Sequence, residues 1–485
     1  MNLFNCGEFK KSFGSTLLAG AVCLLTAGCQ TYQQQNRAIY QNWQQGNLTN
    51  AVIGATKMAE SKTNSLDAII WRLEQATVLR ANGQYEDSNK AFDRAQEKID
   101  DYAQRAKVSV SSEAAALLSN QANLPYEGRS YDGIMLNTYK ALNYLQLGEP
   151  ERARPEIIRA YQRQQDAVED NRRRIEKLQT DIAKQNQTDR ERAERAQNDP
   201  KFNAKIDNTY SEVNNLKPYA DYVNPFTVYL DGLFFMANAA DASDLEHAHK
   251  SFERVSTLLG DNVFIKQDLA AVDDLMNNKP LAPTTYVFFE TGCAPIRDQI
   301  RIDIPTFWPE LPYIGAAFPK LKFQNDFIPN LFVACGGTSV TTVLLSSMDS
   351  VVGQEFKNQL PAVITKTLVS SAIKAAATHF AWESTRQRQA DGRLDNGGIA
   401  GALVLVAGSV YQIAVNISDE RTWTTLPKEF QFCRITTPPD RKIDLATADG
   451  LQKTSLTVGD GTVNLVLVKS VNRTTPLLVS QIKLK

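Results

Sequence analysis

Four carboxylates, Glu310, Asp326, Asp349 and Glu355, are the side chains of this 485-residue chain best suited by type to acid–base chemistry on a glycan. That chemistry needs two such groups about 5 to 10 Å apart, one to protonate the leaving oxygen and one to attack or to activate water. Nothing in the spacing of these four makes any two converge. The three histidines are His247, His249 and His379. In "LEHAHKSF" the first two stand two positions apart, which on a helix points them about 200° from each other. They therefore do not share a metal as an i, i+4 pair does, and they read as exposed polar positions. No GxSxG, P-loop or CxxC motif is present. "CGGTSVTT" (335–342) has glycines and hydroxyls but lacks the lysine of a phosphate cradle, and it reads as strand, turn, strand or as a helix entrance. "SDERTWTTLP" (418–427) reads as a helix end and strand start with Trp423 as a packing anchor. Its functional alternative is a docking edge presented by Arg421 and Trp423. The inventory points to a protein that is not an enzyme and carries no cofactor or metal.

The most definite chemistry belongs to Cys29, in "LLTAGCQTYQQQ". Lys10 and Lys11 precede an uncharged, mostly apolar run over 13–28, shorter than the roughly 20 residues of a permanent membrane helix and shaped like a secretory signal. The junction resembles the bacterial lipobox: Ala27 and Gly28 supply the small residues before the cysteine, and Thr26 stands where an aliphatic residue is usual. The resemblance implies cleavage between Gly28 and Cys29, removal of the signal peptide 1–28, and a diacylglyceryl thioether on Cys29 with an acyl chain on its amine. Several acyl chains give a stable anchor where one would not. Gln30, rather than Asp, beside the lipidated cysteine resembles the pattern of export to the outer membrane, facing the periplasm. Residues 29–36 then read as a solvated, lipidated tether.

The 53 basic and 54 acidic residues cancel, so no overall field recruits nucleic acid. Cys6 and Cys23 leave with the signal, and Cys293, Cys335 and Cys433 remain, enough for one disulfide. Their apolar surroundings read as those of small buried hydrophobes.

The elements that position these residues change type along the chain, giving an α+β protein. Residues 37–279 read as helices. In "WRLEQATVLRANGQYEDSNKAFDRAQEKI", Ala76, Gly83, Tyr85, Phe92 and Ala95 fall at the offsets of a tetratricopeptide (TPR) helix-turn-helix. Ala141, Gly148, Ala153, Ile157 and Ala160 repeat them, with Pro150 in place of Tyr85. A third unit, with Gly232, Phe235, Ala248, Phe252 and Val255, fits once its turn carries a few extra residues. Between the second and third lies a charged helical projection, about 163–216, whose narrow apolar stripe fades beyond Gln185. From about residue 280 to 485 short apolar runs read as strands, interrupted by a helical insertion over about 348–417. Its run 399–415 is marginal as a membrane span and reads as a buried or partner-facing helix.

Several segments together resemble a family of outer-membrane lipoproteins of Gram-negative bacteria with TPR-like helices. They are "YEGRSYDGIMLNTYKALNYLQLGEPERAR", "NPFTVYLDGLFFMAN", "YVFFETGCAPIRDQIRIDIP", "QEFKNQLPAVITKTLV" and "NISDERTWTTLPKEFQFCRI", in that order. The anchor and the repeats read as a periplasmic scaffold that binds a protein in a TPR groove, and the resemblance, to a family with no established activity, adds a hint of cell-envelope biogenesis. Genes of the family tend to lie beside that of a lipoprotein activating a peptidoglycan synthase, which makes such a synthase or its activator the expected partner. Two other readings are an envelope-glycan enzyme using the C-terminal carboxylates, and an export accessory whose 399–415 run meets a membrane or an oligomer axis.

Overall fold

The computed structural model of the chain describes residues 31–108, 124–217, 219–220, 222–391 and 418–485. Gly28, Cys29 and the run 399–415 lie outside the described residues. The helical half comprises α1 (Tyr32–Gln44), α2 (Leu48–Ser61), α3 (Ala68–Ala81), α4 (Tyr85–Val108), α5 (Ser130–Gln146), α6 (Pro150–Ala183), α7 (Gln187–Gln197), α8 (Pro200–Asn214), α9 (Pro225–Ala237), α10 (Ala242–Leu259) and α11 (Val263–Met276). The TPR-like pairs are α3/α4, α5/α6 and α9/α10. The first two turn on the same device. Gly83 and Gly148 have φ of 77° and 75°, and the residue after each donates its N–H to a carbonyl five residues back, Leu79 and Tyr144. This is the Schellman end of a helix, which satisfies orphan carbonyls and favours glycine. Tyr85 and Pro150 follow as the first residues of the second helices.

Two features of this half depart from the sequence reading. A further hairpin, α1/α2, precedes the others and turns on Gly46 (φ 69°) with the same bond, from Asn47 to Asn42. Over 31–36, the described part of the expected tether, it puts a helix. Thr31 and Gln34 form a capping box that starts α1, and Tyr32 and Asn36 are buried, because the polar run "TYQQQNRAIY" has one helical face with Tyr32, Asn36 and Ile39 on it. The third pair has no turn glycine. Asp241 caps α10 by accepting from the N–H groups of Ser243 and Asp244, and the extra residues 238–241 fill the turn. Gly232 sits where α9 crosses α10: a Cβ there would lie 3.1 Å from the Phe252 ring and 3.3 Å from the Ala248 carbonyl oxygen. Ala76 and Ala141 are buried at the corresponding crossings.

The C-terminal half holds β1 (Thr284–Thr291), β2 (Ile296–Trp308), β3 (Leu311–Lys322), β4 (Leu331–Cys335), β5 (Thr338–Thr341), β6 (Val343–Ser347), α12 (Met348–Ala390), β7 (Glu429–Thr436), β8 (Lys442–Thr447), β9 (Lys453–Thr457), β10 (Val463–Ser470) and β11 (Leu478–Lys483). A five-stranded sheet runs β11-β10-β1-β7-β6, with β1 parallel to β10 and its other neighbours antiparallel. A second sheet runs β5-β4-β8-β9. Every residue of β1 is buried. On one face of the sheet Phe288 and Phe432 pack against Tyr229 of α9, with ring centroids 5.9 and 4.7 Å away. On the other, Gln431 bonds to Thr342 and to the Pro329 carbonyl at the second sheet. One apolar core runs from Tyr32 in α1 to Leu484 after β11. The change of element type near residue 280 is thus not a boundary between cores.

A second, smaller core builds an arm. The β2–β3 hairpin, α7, α8 and the distal part of α12 enclose Ala193, Ala196, Phe202, Ile302, Ile304, Ile314, Phe318, Leu368 and Val369. The charged projection over 163–216 is therefore three helices, and α7 and α8 are packed beyond the point where the stripe fades, because alanine methyls and one phenylalanine suffice against a hairpin. By length and composition Met348–Gln387 would pass for a membrane span, yet its Val352, Phe356, Leu368 and Val369 are buried within the protein.

At Gly83 and Gly148 an added Cβ meets open space, so replacement by Ala carries only the left-handed backbone cost of about 1 to 2 kcal/mol. Gly232→Val overpacks the α9/α10 crossing and is expected to cost about 1 to 3 kcal/mol without that backbone term. Urea midpoints should show all three destabilised, and only Gly232→Val relieved by Phe252→Leu.

Candidate functional site

In a TPR array the first helix of each pair lines the concave face. Here those helices are α3, α5 and α9, and none has an open side. Ala68–Leu79 of α3, Tyr131–Leu145 of α5 and all of α9 are buried. A helix buried all round must be covered on both sides. The second helices of the pairs cover one side. The C-terminal sheet and the segment 418–427 cover the other.

That segment enters the face as a ligand would. Trp423 is 0 % exposed; its indole N–H donates to Thr77 Oγ1 at 2.8 Å, and its ring meets Phe92 and Tyr139 edge-on at 5.9 and 6.1 Å. The carboxylate of Glu74 accepts from the Thr424 N–H (2.6 Å), the Thr424 and Thr425 hydroxyls (2.7 Å each) and Tyr32 OH (2.8 Å). Burial pushes the Glu74 carboxyl above its ordinary value, and these donors oppose the shift. Arg421 pairs with Asp419 at 2.7 Å and Asp67 at 2.9 Å and donates to the Leu124 carbonyl. Arg421 and Trp423 are therefore not a docking edge for another protein. They dock within the chain, because an indole and a guanidinium with so many internal partners gain more inside than at a surface. Glu74 was missed by reasoning from sequence, although a lone acid within the apolar stretch "AIIWRLEQATVL" was its signal.

The other candidates disperse. Glu310 lies at the arm tip beside His379, Asp326 is exposed after β3, Asp349 pairs with Lys428, and Glu355 accepts from the N–H groups of Ser130 and Tyr131 at the start of α5, both at 3.4 Å. Cys335–Thr338 is a hairpin turn through Gly336 and Gly337 (φ 54° and 82°), the glycine pair such a tight turn demands. Cys293, Cys335 and Cys433, the cysteines among the described residues, are free, and burial pushes the thiols of Cys293 and Cys433 up to about 11 and about 12. Among the described residues no three metal-ligating side chains converge. His249 lies 3.4 Å from Asp273. His247 is not merely an exposed polar position, for its Nε2 lies 2.7 Å from buried Asp231, which also accepts from Ser251.

Exposed aromatic residues concentrate instead at the arm tip. Phe307 (52 % exposed), Tyr313 (57 %) and Phe380 (57 %) present their rings to solvent. Trp308 stacks on His379 at 4.8 Å and lies under the guanidinium of Arg192 at 4.7 Å, and Trp382 carries Arg386 at 5.6 Å. Phe307 has φ of 64°, a conformation costly for a bulky residue. The hairpin register shifts at this point, between Pro305 and Trp308.

No protein-family model matches the chain, and no curated protein matches it. Among solved structures, a tetratricopeptide repeat protein from Parabacteroides merdae ATCC 43184 is similar over 50% of this chain and 100% of that one, at 14% identity and a TM-score of 0.14. The TPR-like character rests on the helix pairs themselves.

Two outcomes follow. Trp423→Ala should cost about 3 to 5 kcal/mol, read as a lower urea midpoint. The Asp231 hydrogen bond raises the His247 pKa above 6.5, with burial opposing. The stability this supplies is complete below that value and is lost as pH rises through the folded-state value. Midpoints measured at about pH 6 and about pH 8 should differ more for the native chain than for His247→Gln.

Proposed function

We propose that the chain is an envelope scaffold, a lipoprotein held at the periplasmic face of the outer membrane through Cys29, whose docking surface is the arm tip. The observation that carries the reading is the contrast between the two surfaces. The face by which a TPR array would bind a partner is filled by the chain itself, whereas Phe307, Tyr313 and Phe380 are exposed beside the half-buried Trp308 and Trp382. Aromatic residues with guanidinium groups over their rings are the composition of protein-interface anchors. An envelope protein is the partner proposed, and a peptidoglycan synthase or its activating lipoprotein is the class to which the family resemblance points.

The lipid anchor is supported by the lipobox-like junction; Thr31, the N-cap of α1, stands two residues beyond Cys29 in the sequence. An anchored Cys29 would hold the body against the bilayer. Gln33 donates to the carbonyls of Arg297 and Glu420 at the arm base, and β2 then carries the chain about 40 Å to the tip. The tip would reach well clear of the anchor.

A photo-crosslinking residue at Phe380 in living cells should capture an envelope protein, while the same residue at Ile53, exposed on α2, should not. With the crosslinker kept at Phe380, Phe307→Ser with Tyr313→Ser should reduce recovery at least about tenfold, the loss of about 1.4 kcal/mol, with the urea midpoint unchanged. Capture from Ile53 alone would place docking on the helical body and overturn the reading. Cys29→Ala should remain unprocessed and leave the outer-membrane fraction.

A further inference from the structure

Arg297, at the start of β2, is 5 % exposed, and no carboxylate lies within ion-pairing distance of it among the described residues. Its Nε and Nη2 have no hydrogen-bond partner. Its neighbours repeat the deficit. Arg129 Nε, Tyr131 OH and Ser418 Oγ are likewise buried without partners; burial and then the nearby Arg129 charge hold the Arg297 guanidinium below its ordinary value, and the Ser418 N–H donates to Gln299, two residues along β2 from Arg297. Proteins pair buried charges and satisfy buried donors, so several unmet donors at one junction call for an acceptor.

The acids nearby are already engaged. Asp419 pairs with Arg421 at 2.7 Å and Arg129 Nη2 at 3.1 Å. Asp132 Oδ2 accepts from Tyr126 OH at 2.5 Å and from the Arg129 N–H at 2.9 Å, although its Oδ1 has no partner. Glu355 accepts from the two N–H groups that open α5 and from Gln359. What the junction lacks is one more oxygen-bearing anion facing Arg297, whose guanidinium lies over the Phe356 ring at 5.1 Å.

We propose that the junction of α5, β2, α12 and residue 418 is a binding site for a small oxyanion, a carboxylate or phosphate group, held by Arg297 with Arg129, Tyr131 and Ser418. The fork of a guanidinium matches two oxygens of either group. The site lies between the helical body and the arm, so its occupant joins β2 and 418 to α5. It is separate from the arm tip and does not depend on what docks there.

The test is thermal unfolding and calorimetric titration of the full chain with inorganic phosphate and, separately, with acetate, against sodium chloride at matched ionic strength. A saturable rise in Tm with either oxyanion, absent with chloride, is expected, and the two titrations tell phosphate from carboxylate. Arg297→Met should abolish the rise and leave the Tm without anion unchanged or higher, since it removes an unpaired buried charge and keeps the packing on Phe356. Should that variant fail to fold, Tyr131→Phe keeps both guanidinium groups and should weaken binding about tenfold, the worth of one hydrogen bond to a charged group. Arg192→Met, at the arm tip, should bind as the native chain does. No oxyanion-specific rise in the native chain, the result if ordered water alone fills the junction, overturns the proposal, and so does an equal rise in Arg297→Met or an undiminished one in Tyr131→Phe.

Discussion

Helices α3, α5 and α9 are buried on every side, and that constrains everything around them. A TPR pair normally leaves one face of its first helix to solvent or to a partner. Here that face carries Tyr229, Phe226 and Tyr139, rings whose exposure would each forfeit about 1.5 to 3 kcal/mol of burial. The helical half is therefore not stable as an open superhelix. It requires a sheet, and the sheet strand set on it, β1, is in turn apolar on its far side through Val287 and Phe289. A second sheet must cover that side. Three layers follow from the composition of three helices.

Apolar surfaces do not fix how layers sit on one another, and the buried polar groups do. Asp268 of α11 accepts from Tyr229 and Tyr286 at 2.5 and 2.7 Å and pairs with Arg434 of β7. Burial pushes the Glu290 carboxyl up, but Lys469 and Arg80 hold it below the usual range while Tyr139 donates to it. Glu74 binds the backbone and hydroxyls of Thr424 and Thr425. Each of these acids sits in one layer and takes donors from another, so a one-residue slip of β1 would strand Glu290 away from Tyr139 and Arg80. Removing one partner of such a set leaves a buried charge unmet, the costly case. The layers are held in register by groups that cannot tolerate another register.

Local signals were legible in the sequence and distant ones were not. Gly83 and Gly148 announce their turns because a left-handed residue at a helix end favours glycine whatever surrounds it. The change to strands at Thr284 is legible for the same reason, since a continuously apolar run between turn residues reports burial on both faces. The α1/α2 hairpin lies mostly within the stretch read as helical, but its place as a further pair escaped because, apart from Ile39 and Trp43, it is held by polar or small groups: Asn36 to Thr424, Tyr32 to Glu74, and alanines along α2. The arm was legible as a helical projection over 163–216 but its packing was not, α7 burying only Ala193 and Ala196. For Trp423 the sequence pattern gave the role of packing anchor. What it packs against depends on Thr77, Phe92 and Tyr139, some three hundred residues away, and no local periodicity carries that.

The arm shows what the arrangement can transmit. Its small core would be weak as an independent unit, but its elements do not stop at the body. α6 runs 34 residues from the second TPR-like turn into the arm. α12 passes from the main core at Met348 and Phe356 to the arm core at Leu368 and Val369. β2 and β3 bring Leu321 and Arg297 to the body and Ile304 and Ile314 to the arm. Two continuous helices and a hairpin crossing the same boundary resist bending in any direction, so the aromatic tip is held at a fixed distance and orientation. A docking surface fixed in advance does not incur the ordering cost of a mobile one. The filled groove and the rigid arm thus have one origin: the array's binding face is used to hold the sheet, and the sheet's hairpin, braced by the array's longest helix, carries the exposed aromatic residues outward.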